Sequence, residues 1–225
     1  MAADVFLLPP FFDYGATFLW GVSGALVGAR RGYDVMGISI LALVSSTGGG
    51  LLRDGLFLHD GPPVLVRTPV YLELVVAATV IVVLFGKRVS QIKGFSRLVS
   101  LVDGLGLGAY AVVGMNRATT LGFSIPGVIL VGMVNAVGGA VLRSVLAARE
   151  PHLFKPGTFE GVAALAGCVI FVSLTRTGLV DQTAGAWITI AAVFVIRIAS
   201  LAFGVETKPL RDFEEDWKGR TNDAG

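Results

Sequence analysis

Ser45-Ser46-Thr47-Gly48-Gly49-Gly50-Leu51-Leu52-Arg53-Asp54 is where an apolar helical run meets three consecutive glycines and then a charged pair. Ninety positions later the pattern returns as Asn135-Ala136-Val137-Gly138-Gly139-Ala140-Val141-Leu142-Arg143-Ser144. Each glycine weakens a helix by about 1 kcal/mol relative to alanine, so both helices are expected to bend or open at the triplet. An opened turn frees carbonyls and N–H groups, which hydrocarbon tolerates only where they are buried in protein or line a wet cavity. Two broken helices at corresponding places in two halves point to a transport site.

The composition around these stretches belongs to a membrane. Of 225 residues, 54% are hydrophobic and 15% are charged, with a mean hydropathy of +0.76. Soluble domains carry about 25% charged residues, and several apolar runs here are long enough to cross a hydrocarbon core of about 30 Å. The expectation is an all-α polytopic membrane protein. Its net charge of +2 comes from residues scattered in loops, and no basic patch with interleaved aromatics suggests nucleic acid. The N-terminus lacks the positively charged start of a signal peptide, so the first span is expected to be retained. The single cysteine, Cys168, cannot form an intrachain disulfide and sits in an apolar run as a small hydrophobe.

Seven spans are expected, at about 13–29, 34–58, 69–85, 102–117, 126–147, 157–174 and 185–204, with 206–225 a charged, disordered tail. Gly24 and Gly28 give the first span a small-xxx-small packing face. Aligning 13–54 with 103–144 needs no gap, and ten of the 42 pairs are identical, from Asp13/Asp103 to Arg53/Arg143. The chain therefore divides into a first three-helix repeat with its basic loop (1–98), a second (99–180), a seventh helix (181–205) and the tail. Three spans is an odd number, so the second copy must cross in the opposite sense, as an inverted repeat. Loops after spans one, three and five carry Arg30, Arg31, Lys87, Arg88, Lys93, Arg97, Arg149 and Lys155, against Arg67, Arg117 and Arg176 on the other side. That bias puts the N-terminus outside and the C-terminus in the cytoplasm of a cell (inner) membrane.

Ser45 and Asn135 share a helix face with the first glycine of each triplet. They can help solvate an ion beside freed carbonyls, or simply hydrogen-bond between helices. Arg53 and Arg143 sit at equivalent depths, where a charge normally faces a wet cavity or a partner; the plainer reading is that they snorkel to the headgroups. Asp54 can offset Arg53, whereas Ser144 cannot offset Arg143. Asp13 and Asp103 read as helix N-caps. Arg197, in the middle of the seventh span, needs a partner, for which Glu73 is a candidate. Gly106-x-Gly108-x-x-Ala111 fits a loose dinucleotide fingerprint without the strand that would give it meaning, so helix packing is the better reading. His59 and His152 lack metal-ligand spacing, no phosphate loop is present, and no constellation supports enzyme chemistry or a bound cofactor.

Asp13 with Gly24-Ala25-Leu26, Asp34-x-x-Gly37 and Gly48-Gly49-Gly50-x-x-Arg53-Asp54 resembles the bacterial membrane family named for glycine transport, related to the trimeric intracellular cation (TRIC) channels. Asp103-x-x-Gly106-Leu107, Gly114-x-x-Arg117-Ala118 and Gly138-Gly139-Ala140-x-Leu142-Arg143 continue the resemblance, over roughly 13–175. It implies seven helices, a homotrimer with one pore per subunit between spans two and five, and permeation of monovalent cations, mainly potassium. Ala140, Ser144 and Arg117 depart from the commoner Gly, Asp and Lys of bacterial relatives. The implied ion path uses Ser45, Thr47, Gly48, Gly49, Gly50, Asn135, Gly138, Gly139 and Ala140. Charge control falls to Arg53, Asp54, Arg117, Arg143 and Ser144, with permeant potassium or sodium and bound membrane lipid as the only small partners. The rival reading is a secondary transporter of a small solute such as glycine, since inverted repeats also serve alternating access.

Overall fold

A computed structural model describes residues 10–59, 61–90, 95–154 and 159–204. The described residues form eight α-helices and no strand: α1 (Pro10–Arg30), α2 (Val35–Arg53), α3 (Val64–Arg67), α4 (Val70–Ser90), α5 (Phe95–Thr120), α6 (Ile125–Leu146), α7 (Glu160–Arg176) and α8 (Gln182–Phe203). Seven are long and α3 is a single turn. The expected tail at 206–225 lies outside the described residues. Three helical stretches, Val35–Leu58, Ile125–Leu146 and Gln182–Phe203, are long and apolar enough to cross a membrane by length and composition, and Val70–Gly86 is a shorter apolar one.

The expected breaks at the glycine triplets do not occur. Both α2 and α6 remain helical through Gly48–Gly50 and Gly138–Ala140. The irregularity comes later, where a π-helical turn at Asp54–Leu58 follows α2 and ends at His59 in the left-handed region. The physical reason is packing. The missing side chains let two helix backbones meet, and that contact offsets the propensity cost that glycine carries in isolation. Two further boundaries shift. Asp103 lies inside α5 rather than at its start, so it is no N-cap, and Asp13 falls in the first turn of α1, one turn into the helix. Lys87 and Arg88 belong to α4 and Arg97 to α5, which shortens the expected basic loop.

The two copies fold alike at their hairpins. Gly32, with φ 72°, and Gly122, with φ 75°, end α1 and α5. The following N–H groups reach back to matching carbonyls, Tyr33 to Gly28 and Phe123 to Ala118, both at 3.1 Å. This six-to-one closure is the glycine-terminated helix end. Asp34 then caps α2 by accepting from the Gly37 N–H at 2.8 Å. Replacing Gly122 with alanine should cost about 1–2 kcal/mol, because a Cβ is strained in the left-handed region. Thermal unfolding of the detergent-purified protein would show it as a lowered midpoint.

Each copy has its own core. Ala25, Leu26, Ile38, Ala42, Val75 and Val82 pack α1, α2 and α4 together. Val112, Met115, Val131, Cys168, Phe171 and Val193 join α5, α6, α7 and α8. Large apolar side chains such as Val76, Leu84, Val195 and Phe203 face outward, while Thr17, Ser45, Arg53, Asn135, Thr189 and Arg197 are buried. Polar inside and leucine outside is the distribution of a helix bundle in lipid.

Candidate functional site

The site is built where α2 crosses α6. A Cβ at Gly48 would lie 3.3 Å from Cα of Gly139, and one at Gly138 would lie 3.1 Å from Cα of Gly49. A Cβ at Gly49 would overlap the carbonyl oxygen of Asn135, and one at Gly139 that of Ser45. Every contact on one helix has its counterpart on the other at a shift of 90 residues. Because Ser45 meets Gly139 while Gly49 meets Asn135, the helices run antiparallel through the crossing. At 1.5 Å per residue, Arg53 and Arg143 therefore stand about 7 Å from the crossing, on opposite sides.

A cavity opens beside each arginine. The first, of about 340 Å³, holds Thr47, Gly50, Arg53, Asp54 and Arg117 from the expected site, together with Asp13 and Tyr71. The second, of about 300 Å³, holds Ser45, Ala140, Arg143 and Ser144, together with Asp103, Glu160 and Arg197. Many lining residues correspond at the 90-residue shift, among them Asp13 and Asp103, Gly50 and Ala140, and Arg53 and Arg143. Gly48, Gly49, Gly138, Gly139 and Asn135 line neither cavity and form the wall between them. The structure thus sorts the candidate residues into two chambers and a partition.

Hydrogen bonds fix the charged groups. In the first cavity Arg53 donates from Nε to Asp54 Oδ1 at 2.7 Å and from Nη1 to Asn135 Oδ1 at 3.4 Å. Asn135, fully buried, donates in turn from Nδ2 to the Tyr110 carbonyl at 2.6 Å. Arg53 is therefore held by its own repeat and by the opposite one, and it does not snorkel outward. Tyr71 donates its hydroxyl to Asp13, with Tyr14 edge-on against the Tyr71 ring at 5.6 Å. In the second cavity Arg143 donates to Ser23 Oγ at 2.8 Å, while Ser144 turns back to the Ala140 carbonyl at 2.9 Å. Thr47 likewise donates to its own helix, to the Leu43 carbonyl at 2.7 Å.

Arg197 corrects one expectation. Its partner is Glu160 at the start of α7, with Nη2 donating to Oε1 at 3.0 Å, and not Glu73. Its Nε and Nη1 are buried without a partner among the described residues. Sequence reading also missed Trp20, Tyr110 and Tyr71. The first two carried a usable signal, since both are aromatic at equivalent positions 90 apart. The glycine series in α5 packs as helix contacts require, with Gly106 against the Trp20 indole and a Cβ at Gly108 only 3.0 Å from Cα of Ile190.

Residues 10–87 and 100–176 match the family described as Glycine transporter. The chain belongs to that family. The two matched blocks of this glycine transporter family member each contain one copy of the hairpin and one of the arginines that follow the glycine triplets, Arg53 or Arg143. The UPF0126 membrane protein of Deinococcus radiodurans is 32% identical over 158 residues, covering 70% of this chain and 72% of that protein. The UPF0126 membrane protein YvgT of Bacillus subtilis is 30% identical over 199 residues, covering 88% and 93%. The TRIC trimeric intracellular cation channel orthologue from Rhodobacter sphaeroides superposes with a TM-score of 0.79 at 29% identity, covering 87% of this chain and 98% of that one. The resemblance to the prokaryotic TRIC channels therefore holds for the fold as well as the motifs. With its apolar helices, outward-facing aliphatic side chains and membrane-protein relatives, this family member is an integral membrane protein.

Proposed function

We propose that the chain is a passive cation channel, with potassium the main permeant ion and the path running between α2 and α6 in each subunit of a homotrimer. One observation carries the reading. Two cavities, each holding arginines and carboxylates, lie on opposite sides of a thin glycine-lined crossing. The reciprocal contacts at that crossing support an inverted repeat; seven spans, an outside N-terminus from the loop charge bias and lipid against the outward faces of α4 and α8 complete the reading. Hydroxyls and carboxylates in the cavities replace part of the ion's hydration shell, the role that filter carbonyls play elsewhere. The charge-control role of the arginines follows from electrostatics. Potassium passing about 4 Å from an uncompensated guanidinium meets about 4 kcal/mol at an effective dielectric constant of about 20.

Asp54, 2.7 Å from Arg53, removes much of that barrier in the first cavity. Asp54→Asn is therefore expected to lower potassium conductance by about tenfold or more, the equivalent of 1.4 kcal/mol. Planar-bilayer recording of the purified protein tests the whole reading. Ohmic single-channel steps in symmetric KCl support it. A silent bilayer beside saturable, gradient-driven uptake of glycine into proteoliposomes would replace it with the transporter reading.

A further inference from the structure

The wall between the cavities is more than glycine. Trp20 of α1 lines the second cavity and Tyr110 of α5 lines the first. Their rings stack on one another, with centroids 4.6 Å apart and planes at 26°. Both are deeply buried, and they occupy the same position in the two repeats. The space they fill is made by small residues. A Cβ at Gly106 would lie 2.8 Å from Cε2 of the indole, and one at Gly139 would lie 3.6 Å from its Cζ3.

The two rings are held unequally. The Tyr110 hydroxyl donates to the Ser46 carbonyl at 3.2 Å and is hydrogen-bonded to Thr17 Oγ1 at 2.8 Å. Asn135 also binds the Tyr110 backbone. The Trp20 Nε1, in contrast, is buried with no hydrogen-bond partner among the described residues. A buried N–H without an acceptor is costly to keep, and an indole held by packing alone can turn without breaking a hydrogen bond.

We infer that the Trp20–Tyr110 stack is the occluding partition of the ion path, and that rotation of Trp20 away from Tyr110 joins the two cavities. Tyr110 is the fixed leaf and Trp20 the moving one. The closed stack puts apolar ring surface across the path, a barrier of the dewetting kind. This rests on the channel reading above.

Single-channel recording of wild type, Trp20→Ala, Trp20→Phe and Tyr110→Phe in symmetric KCl is the test, with size-exclusion profiles checking assembly. Trp20→Ala is expected to raise open probability by about tenfold, the scale of a lost aromatic pair. Trp20→Phe, which keeps a ring in place, should stay near wild type, and Tyr110→Phe should rise less than Trp20→Ala. If Trp20→Ala fails to assemble, Trp20→Leu carries the same test, because it keeps apolar bulk and loses the stack. Wild-type currents left unchanged by every assembled non-aromatic variant at position 20 overturn the partition. A wild type that never conducts overturns the channel reading itself, and the partition with it.

Discussion

Gly49→Ala is expected to unfold or disassemble the protein. On propensity alone alanine should favour the helix by about 1 kcal/mol, and an opened helix would be re-closed by it. The structure reverses that sign. A Cβ at Gly49 would overlap the Asn135 carbonyl oxygen, and backbone cannot turn aside as a side-chain tip can. Overpacking of this kind costs about 1–3 kcal/mol where side chains give way, occasionally more. Here two helix axes must part, so the upper end or beyond applies, and Gly139→Ala against the Ser45 carbonyl should match it. Gly50 is the internal control. A Cβ there would meet only Arg53 Nη2, at 3.8 Å, and the equivalent position already holds Ala140. Gly50→Ala should therefore melt at or above wild type. Equal melting temperatures for the Gly49 and Gly50 variants would mean that the crossing is looser than described.

Glu160→Ala is expected to cost about 3 kcal/mol, the low end of the range for removing one partner of a buried ion pair, because Glu160 itself is 26% exposed. Arg197 is 3% exposed in the interior of α8, and Glu160 is the carboxylate that binds it. Asp103 lines the same cavity and should keep the loss toward the lower end of that range. The cost comes from the stranded cation more than from the lost bond. The double variant Glu160→Gln/Arg197→Met should consequently recover much of the stability. Chemical denaturation of the three proteins in one detergent would separate these outcomes. A double variant no better than Glu160→Ala would place the loss in packing at the start of α7.

Much of this was legible in the chain. The shift of 90 residues and the compensation of Arg53 by Asp54 are local patterns, and the structure keeps them. What failed were judgements needing a second element. A glycine triplet reads as a weak helix until the facing backbone is known, because propensity counts only the helix itself. Glu73 is a candidate partner for Arg197 only until tertiary contacts are known, although Glu160 sits closer in sequence. The Trp20–Tyr110 pair is hidden among the non-identical positions of the two halves, since an indole opposite a phenol is no identity. Asp103 is no cap because its helix begins at Phe95, about seven residues before the expected start of that span.

The reciprocal crossing also sets an order of assembly. The glycine face of α2 is complementary to α6, whose matching residues are made 90 positions later. At about 5–20 residues per second of synthesis, α2 must wait roughly 5–20 seconds in the membrane for its partner. During that interval Arg53 lacks Asn135 and has Asp54 beside it and Asp13 across the cavity to neutralise it. Arg143 has Asp103 in the same way, and its hydrogen-bond partner Ser23 is already in place when α6 is inserted. The early copy carries a carboxylate beside its arginine and the late copy a serine, so the arginine made first brings its own counter-charge.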